Sequence, residues 1–194
     1  MTQNIRPNSS RCIALSIAGS DSSAAAGIQG DIKTFSSLGV YACTVVTAIT
    51  AQNTLKIKEV VPIAPSLVSD QVLSILEDTP PKAVKIGVIH NSPTIKATAD
   101  ALKLARCPII LDPIMYSSTR ARLLESSALT DLVSTFAPLL HTITPNITEA
   151  EEISGQRIKN LEDVSKAAKG IQKLGARNVI VKGGHAGKEL STDY

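Results

Sequence analysis

The sequence predicts an α/β fold with a mostly parallel central sheet and helices on both faces. Three observations carry this. Short apolar, β-branched runs alternate with stretches whose apolar residues fall at helical spacing, polar residues gather where the apolar runs stop, and no linker-like segment divides the chain. Strands separated by helices predict right-handed crossovers within one sheet.

The first run, residues 12–18, is short and apolar enough for a buried strand and stops at Gly19-Ser20-Asp21-Ser22-Ser23, a cluster of turn and N-cap formers. From Ala24 onward Ile28, Ile32, Phe35 and Leu38 fall at helical spacing, and Gly39 supplies the stop. Asp31 lies on the same face. A carboxylate there is costly to bury alone, so it is either hydrogen-bonded in the core or turned into a polar pocket. Residues 42–51 form a continuous run of small and β-branched side chains, as in a parallel strand covered on both faces, and end in Gln52-Asn53-Thr54. Ligands of open α/β sheets bind at the carboxyl ends of strands, where an amide such as Gln52 both donates and accepts. Gln52 reads equally as a turn amide closing the strand.

The alternation continues with an amphipathic helix over 65–78, a strand over 83–89, a helix over 94–105 and a strand over 108–111. A helix over 125–140, a strand over 142–144, a short helix after Asn146, a helix over 160–174 and a strand over 178–182 complete it.

Residues 1–11 are polar and read as a flexible N-terminal tail, residues 12–194 as a single domain with enough apolar content for a buried core. Net charge is +3 with both signs interspersed, which gives no electrostatic footprint for nucleic acid or an anionic membrane. Arg11 and the CIALSIAG run after it resemble the start of a signal peptide. The run is short for that role, however, and the later alternation needs it as a strand. Cys12, Cys43 and Cys107 lie in apolar runs without CxxC spacing and read as reduced core residues of a cytoplasmic protein. No run is long enough to span a membrane.

In a parallel sheet the polar residues at the strand ends share one rim: Gln52, His90, Asp112, Asn146 with Glu149, and Lys182 before Gly183-Gly184-His185, with Lys85 set apart in mid-strand. An amide, two carboxylates and a lysine suit phosphoryl transfer, in which carboxylates hold magnesium and a cation neutralises phosphate. Each also has a structural role open to it. Asp112 before Pro113 initiates a turn, and Asn146 with Glu149 caps a helix. The histidines show neither ligand spacing nor a nucleophile partner, and the chain has no Walker loop and no GxGxxG after a strand.

The blocks AGSDSSAAAGIQGDIKTFSSLGVY, TAITAQNT, VKIGVI, ILDPIM, ITPNITEAEEISG and VIVKGGH stand in one order along the chain. Together they resemble the hydroxymethylpyrimidine and phosphomethylpyrimidine kinases of thiamine biosynthesis, members of the ribokinase-like superfamily. The resemblance implies a three-layer sandwich and phosphorylation by ATP and Mg2+ of 4-amino-5-hydroxymethyl-2-methylpyrimidine, a small molecule, and then of its monophosphate. It places Gln52 on the pyrimidine's amino edge, with Gly19, Asp31, Val88 and Ile114 lining the same pocket. It puts Asp112 and Glu149 on the magnesium side, with Asn146, Glu149 and Lys182 toward ATP. A homodimer through an open sheet edge is a further expectation.

The chain departs from the family pattern at three points. Ser23-Ala24-Ala25-Ala26-Gly27 stands where relatives carry Ser-Gly-Gly-Ala-Gly, which removes backbone freedom. Ser117-Ser118-Thr119-Arg120 replaces Ala-Lys-Ser-Gly, leaving Arg120 or Arg122 to supply the missing positive charge. The late Gly-Thr-Gly-Cys anion hole and the general base are expected beyond Tyr194, so the resemblance covers about the N-terminal three quarters of such a domain. Two alternatives stand beside this reading: a pyridoxal-type kinase of the same superfamily, and a shortened relative that binds a pyrimidine or a partner without catalysis.

Overall fold

The computed structural model describes residues 12–117, 120–183 and 192–194. The segment expected to be a tail, and Ser118, Thr119, Gly184 and His185, lie outside the described residues. Along the chain run β1 (Ile13–Asp21), α1 (Gly27–Ser37), β2 (Tyr41–Gln52), β3 (Ile57–Pro62), α2 (Pro65–Asp78), β4 (Ala83–Ile86) and α3 (Ser92–Leu102). They are followed by β5 (Ile109–Leu111), α4 (Leu129–Phe136), β6 (Thr142–Ile143), α5 (Ile147–Ser154), α6 (Leu161–Gln172) and β7 (Asn178–Val179).

The seven strands form one sheet in the order β3-β2-β1-β4-β5-β6-β7, with every neighbouring pair parallel except β2 and β3. The strand order turns at β1. The crossover through α1 leads outward to β2, while those through α3 and α4 lead the other way, so right-handed crossovers set α1 on one face and α2, α3 and α4 on the other. Side chains follow: Leu15, Ile17, Val45, Val84, Ile86, Leu111 and Ile143 build the core with Val68, Val72, Ile95, Leu102 and Phe136.

Strand β3 was not predicted. Its Lys58 and Glu59 break the apolar run, and its pairing with Ala48–Gln52 is antiparallel at the sheet edge, where one exposed face tolerates charge. The predicted helix over 125–140 is divided, with 3₁₀ turns at Ser126–Ala128 and Ala137–Leu139 on either side of α4, the second containing Pro138. Strand β4 ends at Ile86, three residues before the predicted end, and β7 at Val179. Beyond them the backbone keeps its direction. Gly87 N–H donates to Ile17 O at 2.8 Å, and an isolated parallel bridge joins Lys182 to Asn146.

Cys43 and Cys107 pack into or against the core, and burial pushes both thiols up, whereas Cys12 is exposed at the start of β1 and not in the core as expected. No helix among the described residues is long and apolar enough to cross a membrane.

Candidate active site

The loop from β1 to α1 is organised around one carboxylate. Asp21, 3% exposed, accepts from the backbone N–H of Ser23 (2.8 Å), Ala25 (3.1 Å) and Ala26 (2.8 Å) and from the Ser23 hydroxyl (2.8 Å). Burial alone raises its pKa, but the bonds from the Ser23 hydroxyl and from the three backbone amides outweigh it and hold the carboxyl below its ordinary range. The free N–H groups ahead of α1 are thus met from within the chain, by the charge sign that a helix N-terminus favours.

This capture explains why α1 starts at Gly27 and not at Ala24, and it fixes the backbone at two positions. Ala24 adopts φ +56°, held by its N–H on Asp21 O at 2.9 Å and by Lys33 Nζ on its carbonyl at 2.8 Å. A left-handed alanine is strained where glycine would not be. Gly27 has φ +58°, and a Cβ there would lie 2.3 Å from the carbonyl oxygen of Gly19. The helix start is seated directly on the end of β1.

Three of the five residues expected at the pyrimidine, Gly19, Val88 and Gln52, lie around this loop. Gly19 faces Val88: a Cβ on Gly19 would sit 3.9 Å from that of Val88, and the buried Thr47 hydroxyl donates to Val88 O at 2.6 Å. Gln52 ends β2 one strand away. It pairs with Ile57 past a register shift in β3, and its Oε1 lies 3.3 Å from the Thr50 hydroxyl, which also donates to Ser20 O. Ile114, half-buried, stands in the loop after β5, its N–H donating to Asp112 O at 2.8 Å, which ties it to the carboxylate end of that strand.

Asp31 takes the core alternative. Its two oxygens accept from Lys85 Nζ at 2.9 and 2.8 Å, and Oδ2 also accepts from the buried Ser16 hydroxyl at 2.5 Å. Ser16 and Lys85 are register partners on β1 and β4, beneath α1, so Asp31 seals helix to sheet and is not brought beside Gln52. Lys85, read as an isolated mid-strand lysine, has its partner here. The signal was a lysine inside a strand and a carboxylate on an apolar helix face, neither of which is stable alone.

The four residues expected near ATP do converge. Asp112 N–H donates to Ile86 O, Thr144 N–H to Leu111 O and Lys182 N–H to Pro145 O, which brings the ends of β5, β6 and β7 level. Across them Lys182 Nζ donates to Asp112 Oδ1 at 2.5 Å. Asn146 and Glu149 close a capping box on α5, with Glu149 N–H donating to Asn146 Oδ1 at 2.9 Å and Asn146 N–H to Glu149 Oε2 at 2.8 Å. Glu149 is 4% exposed. Desolvation raises its pKa; the Asn146 N–H and the Lys182 charge pull it down, Asp112 pushes it up, and the net direction is upward. The strand ends thus bring a buried acid, a second carboxylate and a lysine within each other's field.

Arg122 is engaged within its own loop. Its Nε donates to Leu124 O at 2.7 Å and its Nη1 to Tyr116 Oη at 3.0 Å, with the guanidinium 5.3 Å over that ring. Arg120 is exposed, with φ +63°.

With the rim in view, the relatives are informative. A family profile described as phosphomethylpyrimidine kinase matches residues 21–194. The chain belongs to the phosphomethylpyrimidine kinase family. It is 44% identical over 174 residues to the hydroxymethylpyrimidine/phosphomethylpyrimidine kinase of Aquifex aeolicus, covering 89% of this chain and 68% of that one. It is 43% identical to the kinase of the same name from Rhizobium meliloti, covering 93% and 68%. The chain thus spans about two thirds of the length of these family members. The crystal structure of phosphomethylpyrimidine kinase from Clostridium difficile 630 superposes with a TM-score of 0.86 at 40% identity, covering 95% of this chain and 84% of that one. The pyridoxal kinase of Staphylococcus aureus in complex with AMP-PCP superposes at 0.83 with 31% identity, covering 94% and 67%.

Proposed function

We propose that this member of the family transfers the γ-phosphoryl group of ATP to the hydroxymethyl group of 4-amino-5-hydroxymethyl-2-methylpyrimidine, and then to the resulting monophosphate. The observation that carries the reading is the meeting of Asp112, Asn146, Glu149 and Lys182 on one rim, in line with the Gly19, Val88 and Gln52 end of the same sheet.

In this reading Gln52 pairs with the amino edge of the pyrimidine while Gly19 and Val88 pack against the ring. Lys182 exchanges part of its bond to Asp112 for the phosphate oxygens of ATP and neutralises their charge. Asp112 and Glu149 supply two carboxylates, too few for an all-protein cage but suited to Mg2+ held largely through phosphates and water. The burial that raises the pKa of Glu149 fits that role, since a bound cation would offset the cost of a desolvated carboxylate. Magnesium bound there would neutralise phosphate charge. The chain's own contribution is positioning and electrostatic stabilisation. Free thiols fit a reducing cytoplasm. The pyrimidine is preferred over pyridoxal because the family profile and the relatives above 40% identity carry that name, while the pyridoxal kinase neighbour stands at 31%.

The test is a coupled assay with ATP, magnesium and either the pyrimidine or pyridoxal, run on the chain and on a form carrying its downstream coding sequence. Transfer to the pyrimidine in preference to pyridoxal, reduced about 100-fold or more by Lys182→Ala, is expected. Preference for pyridoxal overturns the substrate assignment. Pyrimidine binding by calorimetry without transfer by either form makes the protein a binder and not a kinase.

A further inference from the structure

Gln52 stands opposite Ile57 in the last pair of the β2–β3 ladder, past a register shift that leaves Lys58 of β3 without a partner residue. The N–H and C=O of Gln52 are both taken up by one side chain from a distant part of the sequence. The Ser22 hydroxyl donates to Gln52 O at 2.6 Å, and Gln52 N–H donates to Ser22 Oγ at 3.0 Å. A hydroxyl has one proton to give and lone pairs to receive, so this two-way bridge uses it fully. Ser22 therefore stands where a neighbouring strand would, and splices the β1–α1 loop onto the end of β2.

The loop supplying Ser22 is itself fixed on both sides. Ser22 is flanked by Asp21, whose carboxylate gathers the Ser23, Ala25 and Ala26 amides. Asp21 N–H donates to Gln29 Oε1 at 2.9 Å and Gln29 Nε2 to Ser20 Oγ at 2.7 Å, which ties the loop to α1. By contrast Ala51 and Asn53 on either side of Gln52 are exposed, and Gln52 is only half-buried. The anchored loop thus meets the end of β2 at Gln52, next to the bond from the Thr50 hydroxyl to Ser20 O, and Gln52 carries the amide assigned to ligand recognition.

We propose that Ser22 is a positioning residue: its hydroxyl sets the backbone of Gln52, and through it the direction of the Gln52 amide toward the heterocycle. This rests on the pyrimidine reading above. A side chain acting on backbone groups of the recognition residue changes affinity through that residue and not through contact of its own, because an amide displaced from its productive geometry loses its directional bonds.

Calorimetry of 4-amino-5-hydroxymethyl-2-methylpyrimidine binding, with amide hydrogen exchange of the segment containing Gln52, separates the possibilities. Ser22→Ala is expected to weaken binding about three- to tenfold, from the two hydrogen bonds lost, and to speed exchange at Gln52. Ser22→Thr, which keeps the hydroxyl, restores binding to within about twofold. In a Gln52→Ala background, Ser22→Ala has no further effect on affinity, the signature of action through Gln52. Unchanged affinity in Ser22→Ala while the unaltered protein binds overturns the proposal, as does an equal loss in both backgrounds. If the unaltered protein fails to bind the pyrimidine, the substrate reading has failed. Exchange at Gln52 then decides the clamp by itself: faster exchange in Ser22→Ala supports it, unchanged exchange overturns it.

Discussion

Replacing Gly27 by alanine tests whether the β1 end and the start of α1 are locked to one another. Two costs apply. An L-residue at φ +58° carries a left-handed backbone, about 1–2 kcal/mol. The new methyl would then have to retreat from 2.3 Å to beyond 3.0 Å from Gly19 O, against a backbone atom and not the tip of a flexible side chain, with Asp21 N at 3.2 Å on the same side. Overpacking of this kind adds about 1–3 kcal/mol, so the total is about 2–5 kcal/mol. Gly39 is the internal control, because its φ of +74° carries the same backbone cost while nothing lies within 4 Å of its Cβ position. Gly39→Ala should therefore lose only about 1–2 kcal/mol. Urea denaturation of the two variants beside the unaltered chain gives both values, provided the slopes agree. Equal destabilisation by the two substitutions would show that Gly19 and Gly27 are not in contact, and the seating of α1 on β1 would be wrong. A larger loss at Gly27 should also disturb pyrimidine affinity, since the same movement displaces Gly19.

Ala24→Gly relieves the left-handed alanine and, after the entropy that glycine adds to the unfolded chain, should stabilise by up to about 1 kcal/mol in the same denaturation experiment; destabilisation would argue against φ +56° at that position. The lowered pKa of Asp21 means that the folded state holds its proton less tightly than the unfolded one. The stability it contributes is complete above the unfolded carboxyl range and is lost as pH falls through the folded value. Asp21→Asn should therefore flatten the acid limb of a stability–pH profile, and an unchanged acid limb would refute the cradle. Asp31→Ala leaves Lys85 half-buried without its partner and should cost about 2–4 kcal/mol, whereas Asp31→Leu combined with Lys85→Met should cost less; thermal melts of both decide whether the pair acts as a unit. Lys182→Ala removes a charge that pulls the Glu149 pKa down, so carboxyl-detected NMR should show Glu149 titrating still higher, and no movement would separate the two residues.

Much of the fold was legible because period and punctuation agree along most of the chain. Pro65 through Asp78 matched α2 at both ends: Pro65 suits a first helical position, and the apolar residues recur at helical spacing up to the break at Thr79. The elements that were missed or moved are those set by contacts distant in sequence. The edge strand β3 forms because β2 offers it a partner, and α1 starts late because Asp21 captures the preceding amides.

The candidate site divides along the same line. Asp112, Asn146, Glu149 and Lys182 could be placed on one rim from sequence alone, since parallel strands deliver their carboxyl ends to one edge whatever the details of packing. Gly19 and Val88 were put forward only through the family blocks they stand in, Gln52 also from its place at a strand end, and the structure sets Gly19 against Val88. What tertiary structure decided is which side chains meet. Asp31 closes on Lys85 and Ser16, Arg122 stays on Tyr116 and Leu124, and Ser22 reaches Gln52, thirty positions further along the chain. Strand direction is fixed by local periodicity and crossover handedness, and both can be read from neighbouring residues. The pairing of a carboxylate or a hydroxyl depends on register and burial across the sheet, where the cost of an unsatisfied polar group selects one partner among several that sequence leaves equivalent.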